Sequence, residues 1–81
     1  MPRLRRLSGR EVSRIFQDFG FVIVQQRGSH MKLKRITARG TEILTIPAHK
    51  ELDTGTLRAI LRQASRFVAE LELHPHFYSD S

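Results

Sequence analysis

The sequence predicts an α+β fold in which the elements follow the order α-β-β-β-α and a three-stranded antiparallel sheet carries two helices on one face. Two observations predict it. Apolar residues recur at helical spacing towards both ends of the chain, over about residues 8–19 and again from Leu57 to Ala64. Between these stretches, three segments rich in β-branched and apolar residues are joined by short glycine-containing turns, which is typical of an antiparallel meander.

The first helix is predicted over about residues 8–19. Ser8 and Glu11 have the spacing of a capping box, in which the serine hydroxyl accepts from a free helix amide and the glutamate reaches back to the cap residue. Gly20 is placed to end the helix, because glycine adopts a left-handed conformation without strain. The apolar stripe of this helix consists of Val12, Ile15, Phe16 and Phe19.

Three strands follow the first helix. Each is a run of five to seven residues with β-branched or alternating apolar side chains, and Pro47 ends the last one because proline cannot donate to a strand ladder. The predicted strands cover residues 21–26, 30–36 and 42–46, and the turns between them are Arg27-Gly28-Ser29 and Ala38-Arg39-Gly40. Such short connections predict antiparallel neighbours.

A second helix begins after a polar loop, with Asp53 or Thr54 as its cap. Its apolar positions are Leu57, Ile60, Leu61 and Ala64, and Phe67, Val68 and Leu71 either continue it or form a separate short turn. Residues 74–81 are expected to be a flexible tail on a single domain that spans residues 1–81. The predicted order of elements is that of double-stranded-RNA-binding domains.

The charge is unevenly distributed and favours a polyanionic partner. Residues 1–40 hold ten basic and two acidic residues, whereas residues 41–81 hold four basic and six acidic ones. Lysine and arginine gain affinity for nucleic acids by displacing counterions from phosphates. The chain has no cysteine, which excludes disulfides and thiolate metal sites, and its longest apolar run, Phe21 to Val24, is too short to span a membrane. We therefore expect a cytoplasmic protein.

His30 is the strongest candidate for chemistry. It opens the second predicted strand, and strand alternation puts it on one face with Lys32 and Lys34, while Met31 and Leu33 face the helices. An imidazole transfers protons near neutral pH, and neighbouring lysines stabilise charge on phosphoryl oxygens, so this set suits phosphodiester cleavage. The alternative from the residues alone is a histidine on the surface of a basic sheet.

Other candidate sites are weaker. His49 lies in the loop before the second helix and is either a second acid/base group or a residue that orders the loop. The start of that helix, from Asp53 to Thr56, offers amides to a phosphate, although the aspartate opposes an anion. His74 and His76 alone make at most an incidental metal site. We predict no metal and no other cofactor.

The motifs resemble those of the HicA (YcfA-like) toxin family. The matching residues are Gly20-Phe21, Arg27-Gly28-Ser29-His30, Ile46-Pro47-Ala48-His49 and the segment from Gly55 to Ala64, and the likeness covers about residues 7–68. The resemblance implies an endoribonuclease toxin that cleaves mRNA, inhibits translation and is held inactive by a HicB antitoxin. It also implies that the catalytic histidine of the family is His30.

The leading hypothesis is therefore a metal-independent mRNA interferase with His30 as the acid/base and RNA, not a small molecule, as its substrate. The alternatives are a non-catalytic double-stranded-RNA-binding-like module, and a protein-interaction domain, which would leave the basic half unexplained. The HicB-like antitoxin is expected to cover the second strand and first helix with an acidic surface. The predicted RNA-binding residues are Arg10, Arg14, Arg27, Gly28, Ser29, Lys32 and Lys34.

Overall fold

A computed structural model of the chain describes residues 2–79 and contains three helices and five strands within that range. In chain order, these are β1 (Arg3–Leu4), α1 (Gly9–Asp18), β2 (Val22–Arg27), β3 (His30–Thr37), β4 (Gly40–Pro47), α2 (Thr54–Ala64), α3 (Glu70–Phe77) and β5 (Tyr78–Ser79). The central part of this order, α1-β2-β3-β4-α2, confirms the predicted α+β fold. No helix among residues 2–79 is long and apolar enough to cross a membrane.

The main sheet has the strand order β2-β3-β4, and both strand pairs are antiparallel. The side chains of Met31 and Leu33 on β3 pair with those of Ile46 and Leu44 on β4, and all four are fully buried. Helices α1 and α2 cover this apolar face, as the alternating pattern of β3 predicts. On the other face, which we call the open face, His30, Lys32 and Thr45 are exposed.

Helix α1 begins with the predicted capping box. The Glu11 backbone N–H donates to the Ser8 hydroxyl at 3.0 Å, and the Ser8 backbone N–H donates to the Glu11 carboxylate at 2.8 Å. Hydrogen bonds to the Glu11 carboxylate, from the Ser8 backbone N–H first and from the Ser8 side chain second, lower the pKa of Glu11 below its ordinary value. The chain leaves the helix through Gly20, whose φ of +95° lies in the left-handed region that favours glycine.

Helix α1 also lies unusually close to the end of β4. The Gly9 N–H donates to the carbonyl oxygen of His49 at 2.9 Å. A Cβ atom at Gly9 would stand 1.8 Å from the carbonyl oxygen of Pro47, so only glycine fits there. The Leu52 N–H donates to the carbonyl of Leu7 at 2.9 Å, which ties the β4–α2 loop to the segment before α1.

Helix α2 begins at Thr54, with Asp53 as its N-cap. The Thr56 backbone N–H donates to the Asp53 carboxylate at 2.7 Å, and hydrogen bonds from Thr56 lower the pKa of this aspartate, with a smaller contribution from His49. The helix ends at Ala64. Of the two alternatives for the residues that follow, a separate element is therefore the one present.

The C-terminal segment differs from the flexible tail predicted over residues 74–81. Residues up to Phe77 form α3, and the Phe77 ring is fully buried, 5.7 Å from the ring of Phe16. Strand β5 then pairs with β1, Leu4 opposite Tyr78. The prediction is wrong for residues 74–79, because burial of the phenylalanine and this distant strand pairing stabilise them; residues 80 and 81 lie outside the described range.

Arg35 holds together the end of the sheet that lies farthest from His30. Its Nε donates to the Glu42 carboxylate at 2.6 Å, and its two terminal nitrogens donate to the carbonyl oxygens of Phe19 at 2.8 Å and Phe67 at 3.0 Å. The guanidinium also lies over the ring of Phe21, 4.8 Å from its centroid. Although Arg35 belongs to the basic half of the sequence, its charge is engaged within the fold.

Candidate nucleic-acid interface

The open face of the sheet carries the predicted basic side chains. His30 and Lys32 are exposed and Lys34 is half-buried, whereas the residues that alternate with them, Met31 and Leu33, are 0% exposed. This contrast follows from the two-residue period of β3, which buries its apolar side chains under the helices. The imidazole and the two ammonium groups therefore share one solvent-facing surface.

A shallow hollow of about 250 Å³ lies on this face around His30. Its walls come from all three strands, since Arg27 of β2 is the register partner of His30, and Lys32 of β3 lies between Gln25 of β2 and Thr45 of β4. We call it the His30 hollow; it is lined by Gln25, Arg27, His30, Lys32 and Thr45. A histidine, an arginine and a lysine thus line the same exposed hollow.

The turn before β3 determines the position of His30. Gly28 has a φ of +59°, the left-handed conformation that lets the chain reverse in two residues. The carbonyl oxygen of Ser29 accepts from the Ala48 N–H at 2.6 Å, so the turn is fastened to the residue after β4. These two residues thereby set the backbone at His30, and neither of them lines the His30 hollow.

A bulge in β2 brings Arg27 beside His30. The register pairs Val22 with Lys34 but Gln25 with Lys32, so one residue of β2 is unpaired between Ile23 and Gln25. In an uninterrupted register, residue 26 would stand opposite His30 and Arg27 would lie in the turn. The extra residue therefore places Gln25 and Arg27 on the open face.

The other predicted residues lie outside the His30 hollow. Lys34 lies on the same face, two residues farther along β3. Arg10 and Arg14 are exposed on α1 and line a separate hollow, with Ile23 and Met31 among its other walls. Because the Met31 side chain is on the helix-covered side of the sheet, these two arginines are on that side too. The structure does not bring them together with His30.

His49 also lies outside the His30 hollow. Its backbone carbonyl accepts from the Gly9 N–H, and its exposed ring is near enough to Asp53 to contribute to the lowered pKa of that carboxyl. Within the described part of the chain, no group of three or more His, Cys, Asp or Glu side chains is placed to hold a metal ion. Of the two histidines His30 and His49, His30 is therefore the one that lines the hollow.

Gln25 and Thr45 line the hollow but were not among the residues singled out from the sequence. Alternation of β4 places Thr45 on the face opposite Leu44 and Ile46, so the pattern contained a signal for this residue. Gln25 carried no such signal, because the bulge reverses the alternation of β2. Both side chains add neutral hydrogen-bonding groups beside the charged ones.

A protein-family model described as the HicA toxin of bacterial toxin-antitoxin systems matches residues 9–65, from the start of α1 to the end of α2. Comparison with curated proteins and with solved structures gave no match. The matched range includes all three strands of the main sheet and the turn before His30. It covers more than half of the 81 residues. The chain belongs to the HicA toxin family, as its motifs predicted.

Proposed function

We propose that this chain is an mRNA interferase: a toxin that cleaves mRNA in the cytoplasm without a metal ion, with His30 as the acid/base, and that a HicB-like antitoxin neutralises. The observation that carries the proposal is the His30 hollow. There, an exposed imidazole stands beside the side chains of Arg27 and Lys32. Family membership supports the toxin role, and the hollow supports the chemistry.

The residues of the hollow have different roles in the cleavage of a phosphodiester. Arg27 and Lys32 bind the phosphate and stabilise the negative charge that develops on its oxygens. Neutral His30 accepts the proton of the attacking hydroxyl, and the resulting imidazolium donates a proton to the leaving 5′ oxygen. If the attacking group is the ribose 2′-OH, the product is a 2′,3′-cyclic phosphate; if it is water, the product is a linear phosphate. Analysis of the product ends distinguishes these two reactions.

The positions of Arg10 and Arg14 fit a role in contacts with the antitoxin as well as with RNA. They form a basic surface on α1, on the other side of the sheet from His30. An acidic antitoxin that reaches both α1 and β3 would gain speed of association from these charges. The double variant Arg10→Glu/Arg14→Glu should therefore slow association more than it speeds dissociation, as measured by stopped-flow mixing. An unchanged association rate would contradict this part of the proposal.

The proposal is tested with purified protein and a defined RNA on a denaturing gel, alongside growth of cells that express the same variants. We expect the wild type to cleave the RNA and stop growth, with and without EDTA. His30→Ala should do neither. His49→Ala is the matched control, because it removes a histidine outside the His30 hollow, and it should retain cleavage. Cleavage by folded His30→Ala at the wild-type rate would refute the catalytic role.

One observation favours a second candidate function, the non-catalytic RNA-binding module. In the described part of the chain, His30 is the only histidine that lines the hollow, so no second histidine is present there as the second proton carrier that many acid/base sites have. A binding module would need only the basic groups and the shape of the sheet. In that case the wild type binds the RNA with the salt dependence of phosphate contacts but leaves it intact.

A further inference from the structure

A second hollow adjoins the first along the outer edge of β4. It has a volume of about 470 Å³ and lies between this strand and α2, with Thr45, Pro47, Thr56, Ala59, Ile60 and Gln63 among its walls. We call it the α2 groove. Thr45 lines both the groove and the His30 hollow, so the two meet at that residue. An RNA strand with a phosphate bound in the His30 hollow would therefore place its neighbouring nucleotide at the groove.

The two hollows differ in charge. Arg27 and Lys32 line the His30 hollow, whereas no lysine or arginine among residues 2–79 lines the α2 groove. The charged side chain of the groove is Asp53, whose carboxylate already accepts from the backbone N–H of Thr56. A phosphate in the groove would meet this negative charge without a compensating cation. The groove is therefore suited to an uncharged group, and its walls from Ala59 and Ile60 suit a flat apolar surface.

Gln63 gives the groove a directional hydrogen-bonding group. Its Oε1 accepts from the Thr45 backbone N–H at 3.2 Å. Because an N–H must meet the oxygen of the amide and not its nitrogen, this bond also determines which end of the amide remains for a ligand. The Nε2 group carries two N–H donors, and no hydrogen bond described within residues 2–79 engages them. A ligand in the groove therefore meets the two N–H donors of the Gln63 amide.

We propose that the α2 groove is a nucleobase subsite, which holds the base next to the phosphate bound in the His30 hollow, and that Gln63 reads that base. The inference rests on the function proposed above. A donor amide favours a base with a carbonyl oxygen, guanine or uracil, over the counterpart with an amino group at the same ring position, adenine or cytosine. Cleavage should therefore show a base preference at one position beside the cut.

The variant Gln63→Glu tests this directly. Glutamate keeps an oxygen that accepts from the Thr45 N–H, so we expect the fold to be retained. It replaces the two N–H donors that would face the base by an acceptor oxygen. An RNA with eight randomised positions is cleaved, and the ends are sequenced to give base frequencies around each cut. We expect the ratio of carbonyl to amino bases at the preferred position to fall at least about fivefold in Gln63→Glu. Gln17→Glu, the same exchange on exposed α1, should leave the ratio unchanged.

A second variant fills the groove without touching the Gln63 bond. Ala59 is exposed on α2, and Ala59→Leu should lower the cleavage rate at least about tenfold while the salt dependence of RNA binding stays that of the wild type. An unchanged base profile in Gln63→Glu together with an unchanged rate in Ala59→Leu would overturn the inference. The inference would also be overturned if Gln63→Glu and Ala59→Leu weakened binding of the antitoxin and left RNA cleavage as in the wild type. A wild type that fails to cleave RNA refutes the proposed function itself, and the subsite falls with it.

Discussion

Replacing Arg35 by alanine is expected to destabilise the fold by about 2–4 kcal/mol without removing a group from the proposed RNA interface. The Arg35 side chain is 21% exposed and that of its partner Glu42 is 11% exposed. Alanine would leave this carboxylate and the carbonyls of Phe19 and Phe67 without their donors. Loss of one partner of a fully buried ion pair costs about 3–5 kcal/mol, and the partial exposure here lowers that figure.

The assay is thermal and urea unfolding followed by circular dichroism. For a domain of this size, 1 kcal/mol corresponds to roughly 4–8 °C in Tm, so the Tm of Arg35→Ala should fall by at least about 8 °C. Arg27→Ala is the matched control, because Arg27 is exposed and its loss should change stability by no more than about 0.5 kcal/mol. A loss below about 1 kcal/mol in Arg35→Ala would refute the argument that this arginine joins β3 to its neighbours.

Three further predictions follow from the packing and the charges. Gly9→Ala should cost about 3 kcal/mol or more, since its methyl group would lie 1.8 Å from a carbonyl oxygen, whereas Gly55→Ala, with 3.7 Å to its nearest neighbour, should fold normally in the same melts. Because the pKa of Glu11 is lowered in the folded state, the ionised carboxylate stabilises the fold above about pH 4.5, and this stabilisation is lost as the pH falls through the folded-state pKa. The Tm of Glu11→Gln should therefore fall less between pH 5 and pH 3 than the Tm of the wild type. Removal of Lys32 and Lys34 should flatten the log–log salt dependence of single-stranded RNA binding by up to about 1.4, with little change in Tm; an unchanged slope would exclude both from phosphate contacts.

The features that the sequence predicts well are local ones. The capping box at Ser8 and the alternation around His30 each depend on residues within a few positions, and both are present as predicted. The alternation determines which side of the sheet His30 faces. Family membership, predicted from the Gly-Ser-His turn and the start of α2, is confirmed on the same stretch of chain.

The features that escaped prediction depend on distant contacts. Phe77 is buried against Phe16, 61 positions earlier, and the two-residue strand β5 is held by β1 at the other end of the chain. Pro75 inside α3 also argues against a helix when only the sequence is considered. The bulge between Ile23 and Gln25 has no glycine to mark it, although it is what sets Arg27 opposite His30.

The proposed role of His30 in proton transfer is tested by comparing RNA cleavage with RNA binding for His30→Ala. Single-turnover cleavage and the Kd are measured on the same labelled RNA, with melting curves to verify the fold. We expect a cleavage rate reduced at least about 100-fold, the usual contribution of a general acid/base, with a Kd within about threefold of the wild type because Arg27 and Lys32 remain. A cleavage rate within about threefold of the wild type, or a Kd that rises in parallel with the loss of rate, would contradict the assignment of His30 to proton transfer.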